Sequence, residues 1–231
     1  GRALIALLDP VTAEGFVFRV DMRLRPSGNQ GPVATSWTSF RDYQTGSAWT
    51  WEHLALTRAR TIAGGADLQR DIEAFRNQVL KEKAPGATIV ADVADMRRRI
   101  AEAKADAGFW DIKIGPGRLQ DIELFAQSLA LRCGSAARAI SDQIAAGVAA
   151  GLLDAADEAA LLTAAVLFWQ LQTATRLLTG GPIDVMDLGE GAKRLLLRHT
   201  RAADVDVLSD RLRDVANTAD RIISTHLATA R

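Results

Sequence analysis

The sequence predicts a mainly α-helical protein preceded by a single strand. Nine segments after Ser36 repeat their apolar residues at helical spacing, residues 16–25 alternate with period two, and Gly, Pro or Asp punctuates the breaks. At 231 residues, with 48% hydrophobic and 24% charged side chains, the composition is that of a core-forming chain, which excludes disorder, collagen and a disulfide scaffold. The 28 basic and 28 acidic residues cancel. With no bulk field, neither nucleic acid nor an anionic membrane is expected as a partner.

Residues 4–8 read as the end of a helix stopped by Asp9-Pro10, since the residue before proline is pushed out of the helical region. An opening in mid-pattern suggests a chain cut inside a larger protein. In residues 16–25, Phe16, Phe18, Val20, Met22 and Leu24 alternate with Arg19, Asp21, Arg23 and Arg25, the pattern of a half-buried strand with an ionic face. Pro26, Ser27, Gly28 and Pro32 then break the chain into a tight loop. Helices are predicted over residues 37–44, 48–60, 67–83, 92–107, 122–132, 141–150, 155–178, 191–200 and 205–228. Asp154 is the expected N-cap of the longest, and Gly180-Gly181-Pro182 its stop. The composition shift near Gly64-Gly65 divides the chain into residues 1–63 and a helical bundle of residues 64–231.

Cys133 has no partner for an internal disulfide, which suits a reducing cytosol and a cytoplasmic location. The longest apolar run, residues 159–171, is shorter than the ~20 residues of a membrane span. His53, His199 and His226 are scattered without carboxylate or cysteine at ligand spacing, so no zinc site is expected.

Arg19, Asp21, Arg23 and Arg25 share one strand face, with successive side chains about 7 Å apart. Two readings stand. An ionised carboxylate among forked guanidiniums suits a magnesium–nucleotide site, where the acid holds the cation and the arginines bind phosphate oxygens; the other reading is a solvated face of mutual salt bridges.

The run Val20-Asp21-Met22-Arg23-Leu24-Arg25-Pro26-Ser27-Gly28, then Tyr43-Gln44, Ala48-Trp49-Thr50-Trp51-Glu52-His53, Ala55-Leu56 and Arg58-Ala59-Arg60 closely resembles the glutamine synthetase adenylyltransferase family. Asp111-Ile112-Lys113, Gly117 and Asp121-Ile122-Glu123 resemble its second signature, although Arg118-Leu119 stands where the family usually has Gly-Ile. The Trp-Thr-Trp-Glu-His run resembles the C-terminal, adenylylating half. The resemblance implies that residues 1–63 are the end of a nucleotidyltransferase palm, its last acidic strand, with the bundle following. It also implies ATP as substrate, Mg2+ as cofactor, and glutamine synthetase and the nitrogen-regulatory signal protein as partners. By resemblance Asp21 is a catalytic metal ligand, Arg23, Arg25 and Lys113 meet phosphates, and Ser27 and Gly28 offer backbone donors. Two further carboxylates of the family, an Asp-x-Asp pair after a Gly-Ser turn, precede this strand and are not in the chain, so the 231 residues alone are expected to be inactive.

Asp204-Val205-Asp206 has the spelling of that pair but lies after Asp21, opens a helical pattern, and reads as an N-cap with a first-turn acid. Asp121 and Glu123, two apart, would point to nearly opposite helix faces, which prevents joint chelation; Asp121 is equally readable as the N-cap of the helix that follows. Lys113 is equally readable as an exposed loop lysine. Trp49 and Trp51 read as core or interface anchors rather than an adenine stack. Two competing functions stay open: a non-catalytic helical module that docks glutamine synthetase or the signal protein, and a related nucleotidyltransferase such as the uridylyltransferase of that signal protein, against which the Trp-Thr-Trp-Glu-His run argues.

Overall fold

The structure, a computed structural model, describes residues 3, 26, 31–103, 108–179 and 184–228. The expected strand, with Asp21, Arg23, Arg25, Ser27 and Gly28, lies outside the described residues, as does the expected stop after the longest helix. Among the described residues the regular elements are all helical: α1 Trp37–Gly46, α2 Thr50–Arg58, α3 Ala66–Lys83, α4 Ile89–Ala103, α5 Leu119–Arg132, α6 Ile140–Ala149, α7 Ala155–Thr179, a 3₁₀ turn Val185–Asp187, α8 Glu190–Thr200 and α9 Val205–Ala228. Each helix predicted after Ser36 is present, and the helix end predicted at residues 4–8 lies outside the described residues. The largest differences are early starts of α4 and α5, whose first turns bury Ile89 and Val90, and Leu119 and Ile122.

Helix α5 is the spine. Ile122, Phe125, Ala126 and Leu129 face the main core with α7, α8 and α9, while Leu124 and Leu131 face Leu54, Leu80, Ile89 and Val93. A third cluster joins Leu56, Phe75 and Val79 to Trp37 and Phe40, so residues on both sides of Gly64 share apolar contacts. Asp154 caps α7 by accepting from the Asp157 N–H at 2.7 Å, and Asp204 caps α9 by accepting from the Val207 N–H at 2.8 Å, the roles their spacing predicts. Among the described residues no helix is long and apolar enough to cross a membrane.

The bundle buries one arginine at a helix end. Arg76, only 2% exposed, donates from Nε to the Leu56 carbonyl at 2.9 Å, from Nη2 to the Thr57 carbonyl, and from both terminal nitrogens to the Ala136 carbonyl at 3.2 Å. Leu56 and Thr57 sit in the last turn of α2, where the Leu56 carbonyl also accepts from the Ala59 N–H at 3.1 Å and the helix dipole favours a cation. Burial lowers the Arg76 pKa, and Arg138 nearby lowers it further. Replacing Arg76 by Met removes the donor that the Thr57 and Ala136 carbonyls have in the interior. We expect a loss of about 2 kcal/mol or more, read as a lower urea midpoint by circular dichroism with an unchanged slope.

Candidate functional site

The second signature folds as a loop, residues 111–118, that closes over the start of α5. Asp111 begins it by accepting with Oδ1 from the backbone N–H groups of Lys113 at 3.0 Å and Ile114 at 2.9 Å, an Asx turn. The loop carbonyls then meet the first turn of α5: Leu119 N–H donates to Ile112 O at 3.3 Å, and Gln120 N–H donates to Lys113 O at 3.0 Å. The orphan donors of the helix are thus satisfied by the backbone just before it. Gly117 has φ +65° and its backbone lies against α9, where an added Cβ would overlap the Ala216 carbonyl and come within 2.6 Å of Asp220 N. Only glycine suits both demands.

Asp121, 8% exposed, is the third residue of α5 and not its N-cap, which is Arg118. The capping expectation fails because residues 112–113 already cap the helix and let it begin earlier. The Asp121 carboxylate instead reaches back to the Gly117 N–H at 2.7 Å and pairs with Arg97 of α4, whose Nε and Nη2 donate to Oδ1 at 2.7 Å and Oδ2 at 2.9 Å. Arg97 also pairs with Asp220 and donates from Nη1 to Ser224 Oγ at 2.8 Å, both on α9. Burial disfavours the Arg97 charge, but the hydrogen bonds and charges of Asp121 and Asp220 outweigh it and raise the pKa. These groups form the polar end of a cleft of about 860 Å³ between α4, the loop and α9, with Ile100 and Leu227 on its apolar wall.

Glu123 points the other way, toward Arg58 of α2 at 3.5 Å, so the two acids of the Asp-Ile-Glu run serve different helices, as their spacing requires. Lys113 is exposed, and its ammonium makes no ion pair among the described residues. Arg118 folds back to the Gly108 and Asp111 carbonyls. Among the described residues no group of three or more His, Cys, Asp or Glu is arranged to hold a metal ion.

The Trp-Thr-Trp-Glu-His run starts α2, and its indoles are not core. Trp49 is 69% exposed and Trp51 38%, while Glu52 and His53 are each 5% exposed. The polar members turn inward because they have partners. Glu52 accepts from the Trp49 N–H at 3.0 Å and from the Tyr43 hydroxyl at 2.8 Å, and His53 Nε2 donates to the Gln44 carbonyl at 3.0 Å. Tyr43-Gln44 and Glu52-His53, separate pieces of the first signature, are therefore one buried hydrogen-bonded unit. The Cys133 thiol donates to the Leu129 carbonyl, and burial raises its pKa, which makes it a packed thiol rather than a nucleophile.

Arg97 is the functional candidate that the sequence reading does not single out. Its signal is positional: it falls four residues after Val93 and three before Ile100, on the apolar stripe of α4, where a charge needs a buried partner.

Comparison with known proteins agrees with the signatures. The model of the family described as GlnE, glutamate-ammonia ligase adenylyltransferase, matches residues 1–75. A bifunctional glutamine synthetase adenylyltransferase/adenylyl-removing enzyme of Rhizobium meliloti is 41% identical over 99% of this chain, and its counterpart in Mesorhizobium japonicum 39% over 93%. The Agrobacterium fabrum counterpart is 49% identical over 56% of the chain. The match spans 24%, 22% and 13% of the length of these three relatives.

Two measurements check the site. Gly117→Ala should cost more than the roughly 1–2 kcal/mol of a left-handed backbone alone, because the new methyl also displaces α9, seen as a fall in the urea midpoint. His53 is held below its ordinary value of 6.5, first by burial, with the Gln44 hydrogen bond opposing. A base with a depressed folded pKa contributes stability that is intact above 6.5 and lost as pH falls below it, since the unfolded chain takes up the proton first. The stability of His53→Gln should accordingly fall less on acidification than that of the parent chain.

Proposed function

We propose, from the premise that the chain belongs to the glutamate-ammonia ligase adenylyltransferase family, that it forms part of the catalytic unit that transfers AMP from ATP to a tyrosine of glutamine synthetase. The observation that carries this reading is the coincidence of both signatures in one chain, with the second built into a capped, glycine-seated loop that presents Lys113 to solvent. The Trp-Thr-Trp-Glu-His run favours the adenylylating half.

In the reaction the tyrosine oxygen attacks the α-phosphorus of ATP, the bond to the bridging oxygen breaks, and pyrophosphate leaves while the phenolic proton is lost. Arg23, Arg25 and Lys113 offset the charge of the phosphate oxygens, and the backbone at Ser27 and Gly28 donates to them. Mg2+, assigned to Asp21, would supply further positive charge at the phosphates. Three carboxylates do this work in the family, and one is present here, so transfer needs an extended polypeptide.

A docking role is a second reading, favoured by Val166, Trp169 and Leu177 of α7, which are 56%, 50% and 79% exposed. Glutamine synthetase is the assigned occupant, with the nitrogen-regulatory signal protein as a further partner.

The test is transfer of labelled AMP from Mg-ATP. The 231 residues alone should give no labelling of glutamine synthetase. In a polypeptide extended upstream through the Asp-x-Asp pair, Asp21→Asn should abolish transfer with glutamine synthetase binding and circular dichroism unchanged. Near-normal turnover by Asp21→Asn would reduce that carboxylate to an ion-pair partner, and labelling by the 231 residues would end the three-carboxylate reading.

A further inference from the structure

Lys113 is tied to the remainder of the protein through its backbone. Its N–H is held by Asp111 Oδ1 at 3.0 Å and its carbonyl by the N–H of Gln120 at 3.0 Å, inside the first turn of α5. The orientation of that first turn therefore sets the direction in which the side chain leaves the loop. The next residue along the helix is Asp121, and the whole of its carboxylate is taken by Arg97 and the Gly117 N–H. Arg97 is in turn fixed by Asp220 and Ser224 on α9, the helix on which the Gly117 backbone rests. One guanidinium thus joins the first turn of α5, through Asp121, to α4 and α9.

We infer that Arg97 is a positioning residue for Lys113: the planar fork that holds Asp121 aims the lysine ammonium at the phosphates of the nucleotide. The inference rests on the proposed role of Lys113 and adds to it a residue 16 positions upstream and a helix at the far end of the chain. Two features of the geometry support it. The N–H groups of Leu119 and Gln120 are consumed by loop carbonyls, so they are closed to an anion, and the side chain of Lys113 is the loop's cationic group turned to solvent. The Arg97 bonds are also directional, since four N–H donations leave Nε, Nη1 and Nη2 in fixed directions. A lysine at position 97 would keep the charge without the fork.

The experiment is a double-mutant cycle in the polypeptide extended upstream through the Asp-x-Asp pair, taken as the parent chain, with Mg-ATP as the probe and affinity read by calorimetry. Lys113→Met and Arg97→Met should each weaken binding about 10-fold, and the double variant should be no weaker than either alone, because both remove the same contact. Arg97→Lys should not restore affinity. The Gly117 amide, which donates to Asp121, should exchange with deuterium faster in Arg97→Met than in the parent chain. Asp220→Asn, which loosens the fork from the partly exposed side, gives the same readout with less risk to the fold. If Arg97→Met and Lys113→Met add, Arg97 is structural only and the inference fails while the phosphate role of Lys113 stands. If Lys113→Met leaves affinity unchanged, or the parent chain does not bind Mg-ATP, the phosphate role fails and the inference with it.

Discussion

The bundle is organised by the enclosure of α5. Leu119, Ile122, Phe125, Ala126 and Leu129 of that helix are 0–3% exposed, and apolar side chains cover it from more than one direction. A helix in that position has no solvent to satisfy its first turn, and each donor left unpaired there would cost about 1–3 kcal/mol. The protein supplies partners from the chain immediately upstream, so the loop must fold back over the helix start. Gly117 follows from this, because a loop pressed between α5 and α9 has room for backbone alone at that point.

The same enclosure explains why Arg76 lies inside and Arg97, its side chain 21% exposed, is turned against the bundle. Each answers polar groups that helix packing would otherwise strand: the last-turn carbonyls of α2 for Arg76, and the first-turn carboxylate of α5 for Arg97. Removing either partner leaves an uncompensated polar group, whereas the intact pair roughly balances its own desolvation. Such pairs contribute geometry more than stability. Arg97 joins α4, α5 and α9 to one another at one point.

The helices were legible because their apolar periodicity is strong, and the caps Asp154 and Asp204 because an Asp before a periodic run has little else to do. Helix starts were less so. Reading Asp121 as an N-cap weighs a local preference against a backbone cap by residues 112–113 that is visible only once the loop is folded. The core half of the reading of Trp49 and Trp51 fails for a related reason: large apolar side chains normally win the interior, but here Glu52 and His53 have a hydroxyl and a carbonyl as partners, and the chain turns those inward. Arg97 escaped notice because its partners lie 24 and 123 residues away, and no spacing rule connects them.

The second signature then has a physical division of labour. Asp111 spends its carboxylate on the Asx turn, Gly117 its conformational freedom on the close approach to α9, and Asp121 both oxygens on Arg97 and the loop. Glu123 is directed to Arg58 across a different interface. Groups committed in this way cannot also bind a ligand without dismantling the loop. Lys113 is the exception, its backbone fixed at both ends and its side chain exposed. Its main chain is thus ordered in advance, while its flexible four-carbon stem keeps its rotamer freedom and leaves the charge in solvent.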